Sequence, residues 1–223
     1  MAKKGGKNHI KSLNAPKFYM AHKKETKYVA KPSPGRHTLE SSIPVSAFLK
    51  MAGLARFNYE VSAIMAEGIE VNGKRVSDSK YPIGINDVVG TKSANKYYRI
   101  GLDRLGHATY KEIDAKEASE RVCKIVKKYI APKGRIMVTL NDSTNIPAPK
   151  GAKVGDSVML SGNKAELISF REGGKCFIMD GVHAGTTGTI KSINMKDKQI
   201  KSVTVESEGS ELETLAKNIM VVG

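Results

Sequence analysis

The feature that most constrains this sequence is the charge of its first 37 residues, because a segment so basic cannot enter a core. Residues 1–37 hold ten Lys and Arg against one acidic residue, and they supply +9 of the net charge of +15. Burying unpaired charges is expensive, and glycine and proline interrupt the segment. The sequence therefore predicts an extended, solvent-facing basic tail over residues 1–37, whose natural partner is a polyanion.

The remaining chain divides into three segments by charge and by linker-like punctuation. Residues 38–90 carry a net charge of −1, residues 91–150 carry +7, and residues 151–223 are neutral. Proline- and glycine-containing stretches close the tail and precede the last segment. The hydrophobic content of 40% is enough for several small cores. We predict an α+β, multi-module chain: the tail, a small helix-helix-hairpin domain, a basic β-rich middle domain and a C-terminal SH3-like β-barrel.

Several functional classes are disfavoured by the sequence. No run of 18 apolar residues indicates a membrane span, and no apolar run follows the basic start as a secretory signal requires. The two cysteines, Cys123 and Cys176, form no CxxC pair, so reduced thiols are expected and no structural zinc. An RNA-modifying enzyme is one alternative, but no catalytic motif supports it. We predict no enzymatic activity, no metal, no cofactor and no small-molecule substrate.

Residues 38–90 show two helix signals followed by a hairpin signal. Apolar side chains recur with helical spacing over Val45–Ala52, and Asn58 is predicted to cap a second helix that ends at Gly68. The Asn-Gly pair at 72–73 lies between short apolar alternations, which is a strong hairpin signal. A closing strand is predicted over 87–89.

Residues 91–150 are predicted to be rich in strands. Alternation over 96–102 predicts a strand in which Tyr97 and Tyr98 face opposite sides, and the pattern leaves open which of them enters a core. A capping-box pattern at Asp114 predicts a helix through Cys123, and strands are predicted around 122–129 and 135–140. The lysine run over 124–128 is either a solvated face or an RNA contact.

Residues 151–223 show short alternating strands and a glycine-rich loop over 180–190. The strands predict a small barrel. The loop glycines permit positive φ and leave bare backbone N–H groups, which are predicted to meet phosphate. A nucleotide-binding P-loop is the rival interpretation, but the loop lacks Gly-Lys-Ser/Thr and no helix follows. His183 is predicted to be a polar loop residue without a metal.

The basic tail combines positive charge with rings. Its lysines are expected to neutralise phosphates and to give sequence-tolerant affinity for RNA. The interleaved His9, His22, Phe18 and Tyr19 are predicted to stack on unpaired bases.

Two of these segments resemble known RNA-binding modules. The helices followed by GIEVNGKRV and GINDVV resemble the small RNA-binding domain of ribosomal protein four, which implies RNA contacts at Lys50, Arg56, Asn58, Lys74 and Arg75. The run DGVHAGTTGTI resembles the KOW motif of ribosomal and transcription-elongation proteins.

Taken together, the chain resembles the archaeal and eukaryotic small-subunit ribosomal protein family called "four-e". HIKSLNAPKFY, KPSPGRH, SDSKYPIGINDVV and DGVHAGTTGTI occur in that family's order, and the absence of a basic C-terminal extension resembles its archaeal members. The resemblance implies a structural constituent of the small ribosomal subunit that supports translation, is cytoplasmic and ribosome-bound, and has rRNA and neighbouring ribosomal proteins as partners. The alternative is a free RNA-binding regulator or a transcription-associated KOW factor. The predicted RNA-binding residues are Lys3, Lys4, Lys7, His9, Lys11, Lys17, Lys23, Lys24, Arg36, His37, Lys50, Arg56, Asn58, Lys74, Arg75, Gly181, His183, Gly185 and Gly188.

Overall fold

The protein is a β-rich chain whose described part divides into two compact units. A computed structural model describes residues 8–19, 24–91, 96–162, 164–196, 199–207 and 209–223. These ranges contain 19 β-strands and three α-helices. Unit 1 comprises Met1–Ile100 and His107–Ala118, and unit 2 comprises Gly101–Gly106 and Ser119–Gly223.

Unit 1 combines three small antiparallel sheets with the three helices. Two sheets have two strands each, β1 with β2 and β3 with β6, and the third has five strands in the order β5-β4-β7-β8-β9. The elements are β1 (His9–Lys11), β2 (Tyr28–Ala30), β3 (Ser42–Pro44), α1 (Val45–Met51), α2 (Asn58–Glu67), β4 (Ile69–Val71), β5 (Lys74–Val76), β6 (Pro82–Gly84), β7 (Val88–Thr91), β8 (Lys96–Leu102), β9 (Ala108–Ile113) and α3 (Ala115–Ala118).

The two predicted helices of residues 38–90 are confirmed. Helix α1 buries Val45, Phe48 and Leu49, which is the face that the apolar spacing indicated. Helix α2 buries Val61 and Met65 and is followed by a glycine with positive φ. Both helices thus form because one apolar stripe of each is covered within the unit.

The predicted hairpin and its closing strand are also confirmed. Asn72 and Gly73 have φ values of 52° and 72°, and this left-handed pair joins β4 to β5 as a type I′ turn. Strand β7 pairs with β4, and β8 with β9 continues the sheet. The sheet therefore extends past the predicted module boundary at residue 90.

An aromatic cluster covers one face of this sheet. Tyr98 is 5% exposed, and its ring lies 5.8 Å edge-on from Phe48 of α1 and 5.8 Å from Tyr110. Burial raises the pKa of Tyr98 above its usual value. Of the adjacent tyrosines, Tyr98 is therefore the core residue, whereas Tyr97 is half-buried.

The prediction of an extended tail is wrong for the described part of residues 1–37. Strands β1 and β2 pair with each other, and Ala15, Phe18 and Tyr19 are buried. Ser33 N also donates to a carbonyl of residue 80 at 2.8 Å. These three apolar side chains are withdrawn from solvent, although Leu13 and Tyr28 stay exposed, and the described Lys11, Lys17, Lys24 and Lys27 remain at the surface.

Unit 2 contains two five-stranded antiparallel sheets. The central sheet has the order β12-β11-β10-β13-β14, and the terminal sheet has the order β18-β17-β16-β15-β19. The strands are β10 (Glu120–Ala131), β11 (Arg135–Leu140), β12 (Asn145–Pro147), β13 (Ser157–Ser161), β14 (Lys164–Ile168), β15 (Lys175–Ile178), β16 (Thr187–Lys196), β17 (Gln199–Ser207), β18 (Ser210–Leu215) and β19 (Ile219–Val221).

The central sheet corrects the helix predicted through Cys123. Helix α3 ends at Ala118, and Cys123 lies in β10, opposite Val158 of β13. Cys123 and Val158 belong to one buried core, so cross-strand packing overrides the local capping signal. Strands β13 and β14 lie beyond the predicted boundary at residue 150, yet they complete this sheet.

The terminal sheet has its own core, which includes Cys176, Ile178 and Ile190. Both cysteines are free and buried, as the sequence indicated. Burial raises the pKa of Cys176 to about 11, so its thiol is protonated at neutral pH. No helix within the described ranges is long and apolar enough to cross a membrane.

Candidate nucleic-acid interface

Three predicted RNA-binding residues lie together where α1 gives way to α2. Lys50, on the last turn of α1, donates from Nζ to Asn58 Oδ1 at 2.7 Å. Arg56 lies in the connection, and all three side chains are exposed. The result is an exposed cluster of two cations and an amide, which we call the helix-junction patch (Lys50, Arg56 and Asn58).

The junction is held by a carboxylate rather than by Asn58, so the predicted N-cap is wrong. Helix α2 starts at Asn58, and its N-cap is Phe57. Glu60 accepts hydrogen bonds from the backbone N–H of Arg56 at 2.6 Å and of Phe57 at 3.3 Å. These bonds lower the pKa of Glu60 and keep it ionised. The Asn58 side chain is thereby free to meet Lys50.

The hairpin residues Lys74 and Arg75 form a second exposed pair on β5. The Arg75 guanidinium reaches the carbonyl of Ala66 at 3.4 Å, near the end of α2. Ala66 follows Asn58 by eight residues, which corresponds to about 12 Å along a helix. The two groups therefore lie at different ends of α2.

The N-terminal segment presents four of its predicted residues to solvent. His9, Lys11, Lys17 and Lys24 are exposed. The His9 ring packs edge-on against Tyr28 at 4.8 Å, so β1 and β2 share a ring contact as well as a ladder. The backbone of the segment is anchored: the carbonyl of Lys17 accepts from His107 Nδ1 at 2.7 Å. The predicted Lys3, Lys4, Lys7 and Lys23, and His22, lie outside the described residues.

Two of the four rings predicted to stack on bases in this segment, those of Phe18 and Tyr19, are not available. Phe18 and Tyr19 are 4% and 7% exposed. Burial raises the pKa of Tyr19 to about 12. The stacking prediction for these two residues is wrong, because the only large apolar groups of the turn pack inward.

His37 is also unavailable to RNA. Its Nε2 donates to Asp87 Oδ2 at 2.7 Å, and the side chains of the pair are 5% and 3% exposed. A Cβ at Gly84 would collide with the His37 ring, so the glycine makes room for it. The prediction of His37 as an RNA contact is therefore corrected to a buried structural role, while its neighbour Arg36 is half-buried.

The glycine-rich loop of unit 2 is organised by internal hydrogen bonds. Gly181 N donates to Asp180 Oδ1 at 2.8 Å, and Gly185 N donates to the carbonyl of Ile178 at 2.9 Å. Gly185 has a φ of 81° and abuts the backbone of Asp103. The predicted bare N–H groups are thus absent at Gly181 and Gly185, whose role in the loop is conformational.

The other two residues predicted in this loop, Gly188 and His183, lie in different structural environments. Gly188 lies in the strand ladder opposite Cys176, where a Cβ would collide with the backbone of Glu206. His183 is half-buried, and its carbonyl accepts from Thr186 N at 3.3 Å. Among the described residues, no three His, Cys, Asp or Glu side chains cluster as a metal site.

Two exposed aromatic residues near the helix-junction patch are not among the predicted RNA-binding residues. Phe57 and Tyr59 are 57% and 70% exposed, although both are large aromatics. A signal for Tyr59 was present: it precedes Val61 by two residues, which places it on the opposite side of α2 from the buried Val61 and Met65. Phe57 lies before the first helical turn, where helical spacing predicts no face.

The chain is similar to known proteins over nearly its whole length. The RS4NT (NUC023) domain matches residues 4–40, and Ribosomal family S4e matches residues 94–166. Small ribosomal subunit protein eS4 of Archaeoglobus fulgidus is 36% identical over 96% of this chain and 93% of that protein. Small ribosomal subunit protein eS4 of Methanosphaera stadtmanae is 32% identical over 100% of this chain and 95% of that protein.

The chain belongs to the eS4 family. Its fold agrees: the crystal structure of the 30S ribosomal protein S4e from Thermoplasma acidophilum matches with a TM-score of 0.70 at 26% identity. That match covers 82% of this chain and 95% of the other. Because the similarity to the Methanosphaera stadtmanae protein covers 100% of this chain, it includes the helix-junction patch and both sheets of unit 2.

Proposed function

We propose that this protein is a structural component of the small ribosomal subunit, where it binds and stabilises folded rRNA. The observation that carries the proposal is full-length similarity, at 36% identity, to a protein named small ribosomal subunit protein eS4. Its partners are rRNA and neighbouring ribosomal proteins, and it acts ribosome-bound in the cytoplasm without an enzymatic step or a cofactor. The strongly basic chain, at +15, suits a polyanionic partner.

We further propose that rRNA is bound mainly through its phosphates. The exposed lysines of the N-terminal segment, together with Lys3, Lys4, Lys7 and Lys23, supply charge. The helix-junction patch and the pair Lys74 and Arg75 supply a second set on a rigid framework. Lysine and arginine contacts of this kind fix position and orientation and carry little sequence information. The affinity should therefore depend steeply on salt.

At the level of modules, we propose that α1, α2 and the β4-β5 hairpin act as a ribosomal-protein-four-type RNA-binding domain. Within the predicted segment 151–223, residues 175–221, which form the terminal sheet, act as a KOW-type, SH3-like barrel. The order helix, helix, hairpin supports the first assignment, and the five-stranded terminal sheet with its glycine-rich loop supports the second. In the second module, the loop that contains Gly181, His183 and Gly185 would recognise RNA through its shape, and Gly188 would hold the start of β16 beside it.

The test is sedimentation of a native lysate on sucrose gradients at low and at high salt, probing for this chain. We expect it to travel with small subunits and to stay there at high salt, because an assembled protein is held by many simultaneous contacts. A peak only at the top of the gradient would overturn the proposal and would favour a free RNA-binding factor. A variant carrying charge reversals at Lys11, Lys17 and Lys24 should leave the subunit at lower salt than the wild type.

A further inference from the structure

Phe57 and Tyr59 form an exposed pair of parallel rings. Their centroids lie 5.7 Å apart and their planes differ by 10°, whereas the other ring pairs of the described residues meet edge-on. At 57% and 70% exposure, the rings contact each other while leaving much of their surface to solvent. Large aromatic rings are usually buried, so an exposed pair of parallel rings is a candidate binding site.

The pair is held in place before any ligand arrives. Glu60 fixes the backbone of residues 56 and 57 through two accepted hydrogen bonds, at 2.6 and 3.3 Å. Between the rings in sequence, Asn58 is tied to Lys50 at 2.7 Å. Tyr59 lies in the first turn of α2, whose inner face is anchored by buried residues. A flat ligand would therefore bind with little loss of conformational freedom.

The charge around the rings favours RNA. Lys50 and Arg56 are exposed neighbours of the pair and belong to the helix-junction patch. The nearby acid, Glu60, has its carboxylate engaged by two backbone N–H groups. An unpaired base offers an aromatic face to the rings, and the phosphates on either side of it are within the reach of flexible cationic side chains.

The size of the apolar surface argues against a protein partner. Within residues 45–67, which span α1 and α2, Phe57 and Tyr59 are the only exposed large hydrophobic residues described. A specific protein interface needs about 800 Å² on each side, with an apolar centre ringed by polar groups. Two rings flanked by cations supply much less than this, but an aromatic face is the surface on which a nucleobase stacks.

We propose that the ring pair of Phe57 and Tyr59 is a stacking platform for an unpaired base of RNA. The inference rests on the proposed RNA-binding function and deepens it. It assigns single-stranded character to the RNA that meets the start of α2, whereas the lysines of the N-terminal segment meet phosphates of any secondary structure.

The first experiment uses the full chain and the absence of tryptophan from its sequence. In the F57W variant, the single indole reports directly on stacking. We expect 12-nucleotide oligoadenylate to quench its fluorescence strongly and an RNA duplex of equal length to quench it weakly. The M195W variant, at a position that is 69% exposed in the neutral terminal segment, is the control and should respond to neither.

The second experiment compares the double variant F57L/Y59L with the conservative variant Y59F. The leucines keep apolar bulk and remove the rings, so affinity for oligoadenylate should fall about ten-fold while the salt slope stays unchanged. Y59F should retain wild-type affinity, and the affinity of every variant for the duplex should change less than two-fold. Circular dichroism checks that both variants keep the wild-type fold.

The outcomes separate the two hypotheses. If wild-type chain binds oligoadenylate and sediments with small subunits, but F57L/Y59L binds equally well, the platform is refuted and the proposed function stands. Equal quenching of F57W by duplex and by single strand would likewise refute it. If the wild type binds neither RNA and sediments apart from small subunits, the proposed function fails, and the platform fails with it.

Discussion

Lys124 is a buried cation that holds the end of unit 2. It is 6% exposed, and its Nζ donates to the carbonyls of Ala216, Lys217 and Ile219 at 2.7, 2.9 and 2.6 Å. An ammonium group has three N–H donors, so all of them are used. The sequence places Lys124 in a lysine run over 124–128 that is typical of a solvated face. In the structure it instead connects β10 to the turn before β19 through hydrogen bonds.

We expect Lys124→Met to lower the free energy of unfolding by about 2 kcal/mol, because three carbonyls lose their donor while the side-chain volume is kept. Urea unfolding followed by far-UV circular dichroism measures the change. The matched control is Lys127→Met at an exposed position on the same strand, which should change stability by less than about 0.5 kcal/mol. Unchanged or increased stability of the first variant would show that desolvation of the ammonium outweighs its hydrogen bonds.

The same lysine predicts a pH dependence of stability. Burial lowers the pKa of Lys124 from 10.5 to about 8 in the folded chain. Between these two values the unfolded chain binds more protons than the folded chain, so stability rises as pH increases. Relative to Lys124→Met, the wild-type free energy of unfolding should rise over this window by at most about 3 kcal/mol. If the difference between wild type and Lys124→Met does not change with pH, the pKa of Lys124 is the same in the folded and unfolded chains. The three carbonyls would then stabilise the ammonium group as well as water does.

At the scale of elements, a buried carboxylate joins three parts of unit 1. Asp87 accepts from His37 Nε2 at 2.7 Å, from Gly84 N at 2.9 Å and from Asn72 Nδ2 at 2.7 Å. Asn72 in turn accepts from Val88 N at 2.9 Å. The carboxylate of Asp87 is thus the centre of one hydrogen-bond network, which we call the Asp87 hub. It connects the N-terminal segment, the β4-β5 hairpin and the turn between β6 and β7.

We expect Asp87→Ala to destabilise the protein by about 3 kcal/mol, since it leaves buried donors without an acceptor. Asp78→Ala is the control: Asp78 is exposed and accepts from Ser33 Oγ at 2.8 Å. The free energy of unfolding of this control variant should fall by less than about 1 kcal/mol. Hydrogen exchange should localise the larger effect to β3, β5 and β6. Equal losses in the two variants would contradict the hub.

At the scale of the whole molecule, charge is distributed unevenly, and RNA affinity should follow that distribution. Residues 1–37 carry +9, and residues 151–223 are neutral overall. We expect replacement of Lys11, Lys17 and Lys24 by Gln to reduce the slope of log affinity against log salt by about 2 to 3, and similarly on unrelated RNAs. Filter binding over a range of salt concentrations measures the slope.

The control for this prediction neutralises three exposed lysines of the terminal segment, Lys164, Lys175 and Lys201. Their replacement by Gln removes the same number of charges from a region without excess charge, so the slope should change by less than about 1. A loss confined to one RNA sequence, or equal slopes in the two triple variants, would contradict phosphate binding by the N-terminal segment.

Short-range signals predicted much of the secondary structure correctly. Helix α1 follows from its apolar spacing, and the β4-β5 hairpin follows from the backbone preferences of Asn72 and Gly73. The helix predicted through Cys123 failed because the partner strand β13 lies more than 30 residues later in the chain. A capping signal is local, whereas the burial of Cys123 against Val158 depends on that distant pairing.

The sequence alone determined the positions of the charges, the helix and hairpin signals and the membership in the eS4 family, because each depends on residue identity and order. Tertiary structure decided the accessibility of side chains for which helical spacing gives no prediction. Phe18, Tyr19 and His37 are withdrawn from the surface, and Phe57 remains on it. The physical reason is that burial depends on contacts between distant segments, as between His37 and Asp87, and no local pattern encodes such contacts.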